Sequence, residues 1–242
     1  QCNDFTQFRY LVSFLFTGRN LYGCITKDSL YHYLRTFKRP RNEKRRYVYS
    51  NIGNGLLTHL IEIKTGRPIC ELLQEKICQP LGLRDTSLHL NQEQKSRLAM
   101  GHPGDQPIFK FRNAPMEPWD MGEILGASCG LHSTPNDLLV FARANLGQKN
   151  TPRLEHDLQS LQYVQVTTPA EKHGIGWDIQ LLEGDGEILV YKQGMVSGYS
   201  TYIGLNVERQ IAVVVLCNNF LWREKIGHNL LLRLYTARHP QN

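Results

Sequence analysis

His173-Gly174-Ile175-Gly176-Trp177-Asp178-Ile179-Gln180-Leu181-Leu182 opens the run of residues that decides the fold of this chain. Apolar and polar residues alternate or cluster there at strand length, and they do so again over residues 188–192, 199–205 and 211–217. Glu183-Gly184-Asp185-Gly186 and Asn206-Val207-Glu208-Arg209 lie between these pieces as turns. Strands joined by such short turns pair as neighbours running in opposite directions, so the spacing predicts an antiparallel meander of three or four strands. Residues 220–238 then read as a helix that packs Leu230, Leu231 and Leu234 onto the sheet.

Upstream the periodicity changes from two to 3.6. A first helix is expected over residues 26–37, with Leu30, Tyr31 and Leu34 on one face. A clearer one covers 52–64, where Leu56, Leu57, Leu60, Ile61 and Ile63 form an apolar side and Gly66 supplies the stop. Pro68 sits in the first turn of the next helix, Ile69, Leu72, Leu73 and Ile77 face inward, and Pro80 is expected to end it. Leu81-Gly82-Leu83 turns the chain into a polar stretch running to about Gly104, and residues 109–119, with Pro115 and Pro118, read as loop. Gly126 to Thr134 leads into a helix over 135–145, with Thr134 and Asp137 at capping-box spacing and Pro135 in the first turn. Helices first, sheet last and a terminal helix make an α+β plan. A mostly helical subdomain over 1–165 and a sheet subdomain over 166–242 are expected.

Composition narrows the function classes. The 242 residues are 41% apolar and 21% charged, the profile of an ordinary globular chain. No stretch approaches the ~20 apolar residues of a membrane span. No charged-then-apolar leader opens the chain, and it begins at Gln1 rather than Met, so an upstream segment is expected to have been removed, left out of this sequence, or never part of this product. The six cysteines show no metal-type spacing, and Cys70 and Cys78, about 12 Å apart along one helix, are too distant to bridge. They read as free thiols, and neither metal nor cofactor is expected. Much of the net charge of +6 gathers at Lys38, Arg39, Arg41, Lys44, Arg45 and Arg46. Without interleaved aromatics or a helix-turn-helix, that cluster reads as a solvated loop rather than a nucleic-acid patch.

Two short pieces can carry chemistry. In Tyr49-Ser50-Asn51, at the mouth of a helix, the phenol can serve as general base if lysines stabilise its phenolate. Asn51 can hold a substrate amide, or simply cap the helix. In Lys192-Gln193-Gly194, a lysine on an edge strand brings positive charge to an anionic substrate, and Gly194 allows close approach of the substrate backbone. Alone, the same piece is a surface lysine before a turn.

Together with their surroundings the two pieces resemble a known family. Tyr49-Ser-Asn-Ile-Gly-Asn-Gly-Leu-Leu57, Leu81-Gly82-Leu83, Asp85-Thr86, Gly130-Leu131-His-Ser133-Thr134-Pro-Asn-Asp137-Leu138, Gly174-Ile-Gly176-Trp177 and Lys192-Gln-Gly194 with Gly198-Tyr199 follow the order found in class C β-lactamases and related esterases and peptidases. The resemblance implies a β-lactamase/transpeptidase-like fold, here lacking its N-terminal part, with the active site between sheet and helical subdomain. It also implies acyl transfer on a β-lactam, D-alanyl peptide or ester carbonyl, and a periplasmic or extracellular setting. Carried over, Tyr49 is the catalytic tyrosine and Lys192 the lysine of the third motif. Asn51, Gln193 and Gly194 contact substrate, and the Met195 N–H supplies an oxyanion-hole donor.

Two positions depart from that pattern. Gln193 stands where the family has threonine, which is expected to alter substrate preference. No serine among the 242 residues has a lysine three positions later, so the nucleophile motif is absent. Ser128, Ser133 and Ser197 are the conceivable substitutes, each with a plain role in a turn or cap. The competing expectations are a hydrolase chain inactive by itself, a non-catalytic binder of peptidoglycan-like peptides or a partner, and a basic module working through residues 38–46.

Overall fold

The computed structural model describes residues 23, 25–38, 47–104, 115–116, 118–119, 121–168, 172–182, 186–196, 198–220 and 225–237. Expectations for residues 39–46, for most of the 109–119 loop, and for Cys2, Cys24 and Ser197 lie outside them.

The fold is α+β. Helices α1 (Lys27–Thr36), α2 (Asn51–Thr65), α3 (Ile69–Leu73, extended by a π turn, Gln74–Cys78, and an α turn, Gln79–Leu81), α4 (Gln92–Ser96), α5 (Gly122–Cys129), α6 (Pro135–Asn145) and α7 (Pro152–Ser160) come first. Strands β1 (Val166–Thr167), β2 (Lys172–His173), β3 (Asp178–Leu181), β4 (Ile188–Val196), β5 (Tyr199–Asn206) and β6 (Ile211–Cys217) follow, and α8 (Ile226–Ala237) closes the chain. The six strands form one antiparallel sheet in sequence order. No described helix is long and apolar enough to cross a membrane.

Side chains alternate between the two faces of the sheet, and each face meets a different partner. On one face Leu189, Tyr202, Ile211 and Val213 pack with Leu231 of α8. On the other, Val190, Leu205 and Trp177 pack with Ala142 and Leu146 at α6. A separate cluster joins Leu30 of α1 to Met121, Ile124 and Leu125 beside and within α5, with Val196 of β4 against it. That last contact brings the end of β4 up to the helices.

Several helical faces differ from the periodicity reading. In α8, Leu231 is buried with Gly227, while Leu230 and Leu234 are exposed and Leu232 and Tyr235 take the expected contacts. In α1, Leu30 alone is buried, and Tyr31 reaches His59 Nε2 with its hydroxyl at 2.7 Å. The largest difference is α2. Gly55 and His59 face inward, whereas Leu57, Leu60 and Ile63 are 55%, 52% and 59% exposed. Gly55 decides this. A Cβ there would stand 2.5 Å from the Ile124 carbonyl oxygen, so α2 presses its glycine edge onto α5 and leaves the leucine edge outside.

Two turns also shift. Residues 126–129, at the start of the stretch that leads into α6, form the last turn of α5. Pro80 lies inside the end of its helix, not after it, and Gly82 in left-handed conformation makes the stop. The preceding π turn, where the Gln79 N–H reaches back to Gln74, adds the residue that accommodates a proline ring at that point. Thr134 caps α6 by accepting from the Asp137 N–H, but the Asp137 carboxylate turns away to the Asp85 N–H and the Thr86 hydroxyl, both at 2.8 Å. Cys70, Cys78, Cys129 and Cys217 are free thiols.

Candidate active site

Residues 47–50, which belong to no helix or strand, carry Tyr47 and Tyr49 to the start of α2. Ser50, not Asn51, is the cap: its hydroxyl accepts from the Gly53 N–H at 3.0 Å. Asn51 is therefore the first helical residue, and its carbonyl accepts from Ser128 Oγ of α5 at 3.3 Å. That contact and the Gly55 approach hold the Tyr-Ser-Asn segment to α5.

Lys192 approaches from the sheet. β4 is an interior strand only part of the way, because β3 pairs with Ile188 to Tyr191 and stops, while β5 continues to Val196. The edge begins at Lys192, so its side chain leaves the sheet on the helical face where strand pairing ends on one side. The ammonium lies 4.7 Å from the centroid of the Tyr49 ring. Two residues far apart in the sequence are thus in direct contact. Gln193 is exposed on the neighbouring position, and Met195 points its side chain to the opposite face from Lys192. Gly194 pairs with Thr201, and a Cβ there would meet Thr201 Oγ1 at 2.9 Å. Its cross-strand neighbour already requires a glycine or a shift of that threonine. Beyond the hairpin, Gly198 at φ +81° lies against Gly101 and His102, whose N–H donates to the Gly198 carbonyl at 3.2 Å.

Three residues outside the sequence-derived set complete the site. Asp178, the first residue of β3, places Oδ2 3.1 Å from Lys192 Nζ. Its Oδ1 lies 3.1 Å from Nδ1 of the buried His173, and the Tyr47 ring stacks on His173 at 3.8 Å between centroids. Asp178 follows Gly-Ile-Gly-Trp directly, but its partner is set by register across strands and so is invisible to local pattern.

The electrostatics temper the phenolate expectation. Tyr49 is 53% exposed, and burial of the remainder pushes its phenol up, with Cys129, Tyr47 and Asp178 adding to this and the Asn54 side chain pulling the other way. Lys192 meets the ring face rather than the hydroxyl, and its charge is already engaged by Asp178. As the chain stands, Tyr49 is a neutral phenol at neutral pH. The serines around the site have other partners: Ser50 caps α2, Ser128 binds the Asn51 carbonyl, and Ser133 binds Thr86 at 2.8 Å. No group of three or more metal-ligating side chains occurs among the described residues.

The family described as Beta-lactamase matches residues 9–237, nearly the whole chain. The chain belongs to the beta-lactamase family. Within this family it is 24% identical over 213 residues to the D-alanyl-D-alanine-carboxypeptidase/endopeptidase AmpH of Escherichia coli, a match covering 83% of this chain and 52% of AmpH. It is 26% identical over 216 residues to the unguisins hydrolase of Aspergillus campestris, covering 83% of this chain and 38% of that enzyme. The class C beta-lactamase of Rhodobacter sphaeroides superposes with a TM-score of 0.76 at 21% identity, over 87% of this chain and 66% of that one. The chain spans about half the length of AmpH and about two thirds of the class C structure. The fold and family are those implied by the motifs.

Proposed function

We propose that this chain carries the Tyr49 and Lys192 side of an acyl-transfer site of the β-lactamase and D-alanyl-peptidase type, and that its 242 residues bind such substrates without forming an acyl-enzyme. The observation that carries the reading is the 4.7 Å approach of Lys192 Nζ to the Tyr49 ring, which unites the two motifs in one place. In this reading Lys192 attracts the carboxylate of a D-alanyl peptide or β-lactam. Asn51 holds the substrate amide, Gln193 and Gly194 line the strand it lies along, and the Met195 N–H faces its carbonyl oxygen. Tyr49 exchanges a proton with the reacting group once a nucleophile is present. Acylation needs an attacking hydroxyl activated by a neighbouring base, and the sequence offers no Ser-x-x-Lys to provide it.

Incubation with a fluorescent penicillin tests both parts. The expected outcome is no covalent adduct by mass, together with saturable binding of acetylated D-alanyl-D-alanine by calorimetry that weakens at least tenfold in Lys192→Ala. A covalent adduct would contradict the missing nucleophile, and absence of any saturable binding would contradict the ligand site.

A further inference from the structure

Lys192 does not stand as a bare positive charge. Contacts run in a closed ring from Tyr47 to His173 (3.8 Å between centroids), His173 to Asp178 (3.1 Å), Asp178 to Lys192 (3.1 Å) and Lys192 to the Tyr49 ring (4.7 Å). Tyr47 and Tyr49 belong to one segment, so the ring ties the Tyr-Ser-Asn motif to the Lys-Gln-Gly strand through Asp178. The side chains of Lys192 and Asp178 are 29% and 23% exposed. The two charges are in contact and only partly open to water, so the Asp178 carboxylate is the group that faces the Lys192 ammonium.

We infer that Asp178 is a resident counter-ion that determines specificity: it orients Lys192 while cancelling most of its charge, so the site accepts uncharged ester or amide ligands nearly as well as carboxylates. A ligand carboxylate reaching Lys192 gains its attraction but also arrives beside the Asp178 carboxylate, and like charges at such separations offset much of that gain. A neutral ligand meets neither term. The reach of Asp178 extends to Tyr49, whose phenol it helps to push up after the larger effects of burial, Cys129 and Tyr47. The carboxylate therefore restrains both motif residues at once. Asp178 is a positioning and specificity residue, acting through Lys192. The inference rests on the reading of Lys192 as the ligand-facing lysine.

The test compares acetylated D-alanyl-D-alanine with its C-terminal amide on the wild-type chain and on Asp178→Asn, which keeps the shape and removes the charge. The wild-type chain is expected to prefer the carboxylate by less than about tenfold, and Asp178→Asn to widen that preference by about tenfold or more through the carboxylate alone. An unchanged preference in the variant, or weaker carboxylate binding, overturns the counter-ion. Failure of both forms to bind either ligand overturns the ligand-site reading instead. Trace acetylation of Lys192, followed by peptide mass, then decides the counter-ion without any ligand. Asp178→Asn, with an unaltered far-ultraviolet circular dichroism spectrum, is expected to react several-fold faster at Lys192, and equal rates overturn the pairing.

Discussion

Tyr49 shows how placement rather than identity sets reactivity. Its phenol ionises above the ordinary tyrosine range because partial burial disfavours the charged form, with Cys129, Tyr47 and then Asp178 adding to the effect. Tyr202, deeper in the sheet and bonded to His228 at 3.2 Å, is pushed up as well, by burial first and Tyr191 second. A raised folded-state value has a definite sign. Both groups contribute stability that is complete below the unfolded tyrosine value of about 10 and is lost as pH climbs through the folded values. Denaturant midpoints are therefore expected to hold steady to about pH 10 and fall above it. The phenolate absorbance of Tyr49→Phe should lack a late-titrating component present in the wild-type chain. Loss of a component titrating near the ordinary value of about 10 instead would show that Tyr49 is an ordinary surface tyrosine.

At the scale of elements, two contacts set the site. The first is α2 on α5, where Gly55 lies flat against the Ile124 carbonyl. Gly55→Ala places a methyl group against backbone that cannot rotate aside. Despite the better helix propensity of alanine, it is expected to cost about 1–2 kcal/mol and to weaken ligand binding by moving Tyr49. Thermal denaturation with calorimetric binding checks both effects, and a stabilised variant would refute the close approach. The second contact is the clasp at α6. Thr86 donates its one hydroxyl proton to Asp137, so Ser133 must donate to Thr86, and Asp137 also takes the Asp85 N–H. Asp137→Ala strands these buried donors and is expected to cost about 2–3 kcal/mol, lowering Tm by roughly 5–10 °C. Asp85-Thr86 and Ser133 to Asp137, which mark the family in the sequence, thus serve here as a structural fastening.

Across the whole molecule, the face left open is as informative as the faces that are packed. Leu57, Leu60, Ile61 and Ile63 of α2, with Tyr33, Leu34 and Phe37 at α1, are all exposed. Leu57 and Leu60 stay more than half exposed, and replacing such surface residues changes stability little, within about 0.5 kcal/mol each. The pair Leu57→Gln and Leu60→Gln is accordingly expected to leave Tm nearly unchanged while lowering the fluorescence of a bound hydrophobic dye. A large drop in Tm would show these leucines to be core. The meander, the α+β order, the family and the two motif fragments were legible in the sequence, because strand and helix periods, glycine stops and motif spacing are local properties of the chain. Which side of α2 is buried was not legible: leucine spacing marks an apolar side, but Gly55 against Ile124 decides which edge can approach a neighbour. Nor could local spacing reveal that Lys192 becomes an edge residue where β3 ends, or that Asp178 and His173 stand beside it. Those follow from strand register and helix docking, through which charges and rings distant in the chain meet within a few ångströms, and only the tertiary structure decided them.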